Sequence, residues 1–349
     1  MDSNGYLKPE SIRQMVDEMT NPAQHQKQKK ISILLAILLL STYSFCSGQN
    51  LKSFNNGSLK LYYEEYGNGP ALYILSGGPG EAPEHPYRQI VDSLKTFYTC
   101  VLIHQRGSGK SRDIPINEGT ISIENYTRDI ELLRKERGDK KITLLGISWG
   151  GLLVMNYAAH YPEFAANLIL VCSAPPSYAV WNMLYDNQFA RRSKVELDSM
   201  DILQKVFSTK TEKELDSLKI MNPDCKEVVA YKEFIALHVR AMYYDRSKIS
   251  KKNFDDLFYS FNFQPIPIID KEVLETKWDI TDKLKKLKTP ALIVYGRQDD
   301  QGESTFYLQK ESLKFSETHV IEKCGHEILE EQPAEFFKIL LDYVKRTSK

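Results

Sequence analysis

Residues 141–157 read KITLLGISWGGLLVMNY. The stretch opens with an apolar run, 142–147, of strand length and preceded by charge. Gly146, Ser148, Gly150 and Gly151 come next, and 152–157 has helical character. A strand, a G-x-S-x-G turn and a helix in direct succession make a nucleophile elbow. Its turn is so sharp that the serine is strained, and the residues two places either side must be small. The Ser148 hydroxyl is thereby lifted above the strand end at a helix N-terminus, where backbone N–H groups favour negative charge. An ordinary serine in a glycine-rich turn is the bland alternative, and the flanking strand and helix argue against it.

Working outward, strand-like runs stand at 58–66, 71–75, 99–105, 166–172, 289–295 and 318–322. An amphipathic helix is predicted over 122–137, with Ile123, Tyr126, Ile130 and Leu133 on one face. Another closes the chain over 333–346, with Pro333 in its first turn. Between 177 and 286 strand runs vanish, charge rises, and helical patterns rich in Tyr, Phe and Met take over. The sequence therefore predicts an α/β fold. It has a mostly parallel sheet with helices on both faces, a core formed by 49–176 and 287–349, and an inserted helical cap over 177–286.

The N-terminal part reads differently. Residues 1–30 are polar and end in a Gln/Lys cluster, so a disordered tail is expected. ISILLAILLL follows at 31–40, then small residues. That order predicts a secretory signal or a membrane anchor over 31–48, with export or attachment through residues 31–46.

Composition narrows the function class. The chain has 349 residues, with 42% hydrophobic and 26% charged. That range suits a soluble enzyme with a full core. Lys and Arg total 46, and so do Asp and Glu, so no global field selects nucleic acid. The five cysteines, Cys46, Cys100, Cys172, Cys225 and Cys324, have no C-x-x-C spacing, and no metal site is expected. The ending Gly109-Lys110-Ser111 resembles a phosphate-binding loop, but His104 stands where that loop needs its first glycine.

A serine hydroxyl needs a base, and the base needs a carboxylate to fix its tautomer. Both follow Ser148 in the chain. Asp299 lies just past the 289–295 strand, and His326 just past the 318–322 strand. In a parallel sheet, loops after strands gather at one edge. Asp299 keeps a G-x-x-D spacing from Gly296, and Asp300 is its rival. Two backbone donors are needed for an oxyanion. The Trp149 N–H is one, and Gly77 or Gly78 in the turn at 76–80 supplies the other. Arg106 is expected to order loops by bonding carbonyls. His85 and His104 precede the nucleophile and are expected at most to shape the pocket.

Taken together, SGGPG at 76–80, QRGSGKS at 105–111, GISWGG at 146–151, GRQD at 296–299 and the pair Gly325-His326 resemble the proline iminopeptidase family of α/β-hydrolases. The resemblance implies a triad of Ser148, Asp299 and His326, oxyanion contacts near Trp149 and Gly78, and no metal or organic cofactor. It also implies release of an N-terminal proline or another small residue from a small peptide. Two positions depart from the family pattern. Ser76 stands where the family usually has His, and His104 where it usually has Asp. The family holds the substrate's amino terminus with acids of the cap, for which Glu233, Asp255 and Asp256 are the candidates here. Without such acids, an ester, lactone or amide hydrolase on the same machinery is the alternative. A catalytically silent binding protein is the remote one.

Overall fold

The apolar runs pair into a single sheet. The structure, a computed structural model, describes residues 50–84 and 86–348 together with Ser11. The segment 31–48, expected to be a signal or anchor, lies outside the described residues, as do nearly all of 1–30 and His85. Among the described residues, no helix is long and apolar enough to cross a membrane.

The strands are β1 (Leu51–Asn56), β2 (Leu59–Tyr66), β3 (Ala71–Leu75), β4 (Thr99–His104), β5 (Ile142–Ile147), β6 (Ala165–Val171), β7 (Ala291–Gly296) and β8 (Ser316–Ile321). They lie in the order β1-β2-β4-β3-β5-β6-β7-β8. β2 runs antiparallel to β4, and every pairing from β4 to β8 is parallel. The ends of β3, β5, β7 and β8 therefore open at one edge. Leu75 stands beside Gly146, and Gly296 beside Ile321.

Alternation along the strands divides the core in two. Tyr73, Val101, Leu144, Leu168 and Ile293 belong to one buried cluster, and Leu72, Leu102, Leu145, Ile169 and Leu292 to the other. The first takes in the apolar faces of α2 (Ile123–Arg137) and α3 (Trp149–His160). The second takes in α1 (Tyr87–Leu94) and α13 (Pro333–Thr347). Helices thus cover both faces of the sheet, as a parallel sheet buried on both sides requires. The ends of α2 follow from its sequence. The Ser122 side chain accepts from the Asn125 N–H at the start, and Gly138 takes the left-handed conformation at the end.

Between β6 and β7 the regular elements are helices: α4 (Met183–Ala190), α5 (Lys194–Phe207), α6 (Glu212–Met221), α7 (Lys226–Met242), α8 (Lys251–Ser260), α9 (Pro265–Thr276) and α10 (Thr281–Leu284), with short 3₁₀ turns. One compact unit is built from Lys52–Arg191 and His238–Lys349, and the other around Arg192–Leu237. Inside the latter, capping boxes at Ser193/Glu196 and Thr211/Glu214 start α5 and α6. The rings of Tyr231 and Phe234 meet Phe207 edge-on. Inside the larger unit, Ser177 bridges Asp279 where the chain leaves the sheet and returns. The Ser177 hydroxyl donates to Asp279 at 2.6 Å across 102 residues of sequence.

Candidate active site

Four loops meet at the edge where β3, β5, β7 and β8 end. Ser148 follows β5 directly, with φ 52 and ψ −119, and is half-buried. Such a conformation is uncommon for a serine and is strained. Its own N–H donates to the Val171 carbonyl at 3.0 Å, and its carbonyl accepts from Ala174 N–H at 2.9 Å. Those bonds fix the elbow to β6 and leave the hydroxyl without a backbone role.

Asp299 and His326 arrive from the next loops. The His326 Nδ1–H donates to Asp299 Oδ1 at 2.8 Å. A carboxylate can only accept here, so in the neutral ring the proton sits on Nδ1 and Nε2 keeps a lone pair. Both residues are buried. The Asp299 loop is closed by its N–H to the Gly296 carbonyl and by Gln301 N–H to Oδ1, both at 3.0 Å. The His326 loop is held by Glu331, which accepts from Gly325 N–H at 2.6 Å and Asp245 N–H at 2.7 Å.

Asp300 stands beside the pair, with Oδ1 3.4 Å from His326 Nδ1. Its other oxygen accepts from Gln188 at 2.7 Å. Burial opposes charge on His326, but Asp299 and Asp300 outweigh it and push the imidazole up to about 10. Burial likewise opposes charge on Asp299, yet the His326 charge and hydrogen bond hold its carboxyl below the usual range. Asp300 goes the other way, pushed up to about 6 by burial and by Asp299, against the pull of His326.

Cys172 joins Asp299 and His326 within 4.8 Å, the one group of three potential metal ligands among the described residues. Burial pushes its thiol well above the usual value, so it stays protonated and makes a poor ligand.

The turn after β3 supplies the remaining groups. Gly78 has φ 109, open to glycine alone, and its N–H makes no hydrogen bond among the described residues. The Trp149 N–H opens α3, where an amide has no intrahelical acceptor. Gly77 is a correction: its N–H donates to the Tyr87 hydroxyl at 2.7 Å and has no hydrogen left for an oxyanion.

Tyr87 in turn donates to Glu81 Oε2 at 2.8 Å. A Cβ built on Gly77 would stand 2.5 Å from that oxygen and 3.5 Å from Ser148 Cβ, so the Glu81 carboxylate lies within about 6 Å of the serine. Burial pushes Glu81 up to about 7, against the pull of Tyr87 and His326. Burial also pushes Glu327 up to about 8; the His326 charge opposes this and the Glu81 charge adds to it. Sequence reasoning missed both acids, although each directly follows a motif, Glu81 after SGGPG and Glu327 after Gly325-His326.

The acids named from sequence stand elsewhere. Asp255 pairs with Lys251 at 2.8 Å and Asp256 with Lys252 at 2.6 Å, each one turn back on α8. Such i, i+4 pairs meet part of each acid's charge, and Asp256 is exposed while Asp255 is half-buried. Glu233 lies on α7 within the unit around Arg192–Leu237. His104 donates from Nε2 to Glu64 Oε1 at 3.1 Å and accepts the Lys110 N–H at Nδ1 at 3.2 Å. Arg106 grips both oxygens of Asp129, at 2.7 and 2.6 Å, and donates to the Thr120 carbonyl at 2.5 Å.

Known proteins are similar to this chain. The proline iminopeptidase of Lactobacillus helveticus (strain DPC 4571) is 26% identical over 281 residues, 79% of this chain and 90% of that protein. The monoacylglycerol lipase ABHD6 of Bos taurus is 26% identical over 254 residues, 66% of each. The crystal structure of a proline iminopeptidase from Mycobacterium smegmatis superposes with a TM-score of 0.61 at 19% identity, over 85% of this chain and 98% of that one. The alpha/beta hydrolase fold family matches residues 70–333. With that match, the parallel sheet and the strained serine after β5, the chain belongs to the alpha/beta hydrolase family and resembles the proline iminopeptidases within it.

Proposed function

We propose that this protein is a serine hydrolase that works through a Ser148 acyl-enzyme and acts on substrates with a free amine beside the scissile carbonyl, such as an N-terminal proline or another small residue of a short peptide. The observation that carries the reading is the His326–Asp299 hydrogen bond at 2.8 Å, in a loop edge shared with the strained Ser148. In the first half, His326 Nε2 takes the hydroxyl proton while Ser148 Oγ attacks the carbonyl carbon. The Gly78 and Trp149 N–H groups receive the negative charge that forms on the carbonyl oxygen. The tetrahedral species then expels the leaving amine, which takes the proton from His326. In the second half, water takes the place of the serine hydroxyl and the acid is released. No metal or organic cofactor takes part in this sequence.

The amine requirement draws on the acids beside the serine. A buried ammonium needs a partner. Glu81, within about 6 Å of Ser148, is the acid that would meet it, whereas Asp255 and Asp256 each pair with a lysine one turn back. A second reading, an ester or amide hydrolase without amine demand, is favoured by that same pairing on α8 and by the lipase relative.

The test uses the full chain. It compares Pro-, Ala- and Leu-arylamides with N-acetyl-Pro-arylamide and p-nitrophenyl acetate, and adds Ser148→Ala as control. Among the arylamides, turnover confined to those with a free amine supports the first reading, whatever the activated ester does. Ester turnover without amine preference supports the second. Retained turnover in Ser148→Ala removes both.

A further inference from the structure

We infer that Gln105 is a positioning residue that sets the spacing of the two oxyanion donors by tying three neighbouring strand ends together. The inference rests on the acyl-transfer reading above. Gln105 follows β4, Ser76 follows β3 and Trp149 stands two residues past β5. The sheet order puts β3 between β4 and β5. The Gln105 side chain therefore reaches across the end of β3. Its Oε1 accepts from the Trp149 indole Nε1 at 3.0 Å. Its Nε2 donates to the Ser76 carbonyl at 2.7 Å and lies 3.0 Å from the Ser76 hydroxyl.

Each contact sits next to a donor. Trp149 carries one donor amide itself, and Ser76 precedes Gly78 by two residues. The clamp has support on both sides. The Ser76 hydroxyl donates to the Glu81 carbonyl at 2.9 Å and closes the 76–81 turn. The Trp149 ring meets Tyr126 edge-on at 5.3 Å, and the Tyr126 hydroxyl donates to the Arg106 carbonyl at 3.0 Å. Gln105, Ser76 and Trp149 are all buried, so water does not replace a lost bond freely. The departure at Ser76 acquires a reason here: its hydroxyl is small enough to sit under the turn and serve both Gln105 and the Glu81 carbonyl.

Oxyanion donors act only when they stand about 2.7–3.1 Å from where the charge develops, and a misplacement near 1 Å can cost about 100-fold. Losing the clamp therefore weakens the transition state and spares substrate binding. The experiment measures kcat and KM with p-nitrophenyl acetate, and inhibition by phenyl trifluoromethyl ketone, which forms an oxyanion on the serine. The variants are Gln105→Ala, Gln105→Glu and Ser76→Ala in the full chain.

For Gln105→Ala, kcat falls about 10- to 100-fold with KM within about twofold, and the ketone's inhibition constant rises by a similar factor. Gln105→Glu keeps the acceptor for Trp149, loses the donor to Ser76, and falls between Gln105→Ala and wild type. Ser76→Ala keeps the carbonyl contact and loses a few-fold, which gives a measurable arm if Gln105→Ala does not fold. Unchanged kcat and ketone affinity with only a lower Tm would reduce Gln105 to a fold residue and overturn the inference. Failure of the acyl-transfer reading looks different, because Ser148→Ala would then retain turnover whatever the Gln105 variants did.

Discussion

Asp300 holds its Oδ1 3.4 Å from His326 Nδ1, the same nitrogen that Asp299 holds at 2.8 Å. One imidazole thus answers to two buried carboxyl groups, and their combined charge lifts it above the ordinary histidine range. His326 acts as a base only when neutral, so kcat/KM is expected to rise with pH through this raised value. Above about pH 6 Asp300 is ionised and adds to the lift. Asp300→Asn removes that part, lowers the His326 pKa and moves the acidic limb of the pH profile toward lower pH. A profile that stays in place, or moves up, contradicts the assignment.

Asp299→Asn has a different effect. It removes the acceptor that fixes the His326 tautomer, and the loss in kcat on the plateau of the pH profile is expected on the order of 10³- to 10⁴-fold. Comparing the two variants at saturating substrate separates the orienting carboxylate from the one that only tunes charge.

Glu81→Gln tests the amine requirement. With a neutral amide beside Ser148, KM for Pro-arylamide is expected to rise about tenfold or more, and p-nitrophenyl acetate turnover to hold within about threefold. Equal losses on both substrates would mean that Glu81 only supports Tyr87 and the turn.

Arg106→Ala probes the frame beneath the turn. Asp129 would be left buried with its main partner gone, and such losses cost about 3–5 kcal/mol. The measurement is urea unfolding of the variant, with Arg106→Lys expected to recover part of the stability and not the two-pronged grip.

Glycine substitutions give a contrast in stability. A Cβ on Gly150 would run into the Leu75 carbonyl, which is backbone and cannot swing aside. Gly150→Ala is therefore expected to abolish folding or activity. Gly138 has φ 72 with open space around it, so Gly138→Ala is expected to cost only about 1 kcal/mol, the strain of the left-handed conformation. Thermal unfolding reads both.

Much of this fold was legible because local patterns agreed with it. The run 142–147 and the serine after it needed only period, glycines and length. Elements with weaker patterns were not legible. β1 buries Phe54 well but is otherwise mixed, and α1 is eight residues long with no side-chain cap. Of the charges around Ser148, the sequence marked Asp299, Asp300 and His326 but not Glu81 or Glu327, because a glutamate after a glycine motif looks like any loop glutamate until folding buries it. The candidates on α8 have lysine partners for a readable reason. Lys251 and Lys252 stand four residues before Asp255 and Asp256, the spacing at which a helix pairs opposite charges.

The bridge between Ser177 and Asp279 has an evolutionary consequence. Its two ends meet at a point that belongs to the sheet-bearing unit, so the closure does not depend on the length of what lies between. Lengthening a loop whose ends are already joined costs only about 0.6 kcal/mol per doubling. Within the intervening chain, Arg192–Leu237 forms a unit of its own and can change in length, while Gln188, Met242 and Asp245 on either side of it bond the Asp300 and His326 loops. Relatives would then vary in length fastest within Arg192–Leu237, and a chimaera that exchanges only that segment is expected to fold and keep its serine reactive.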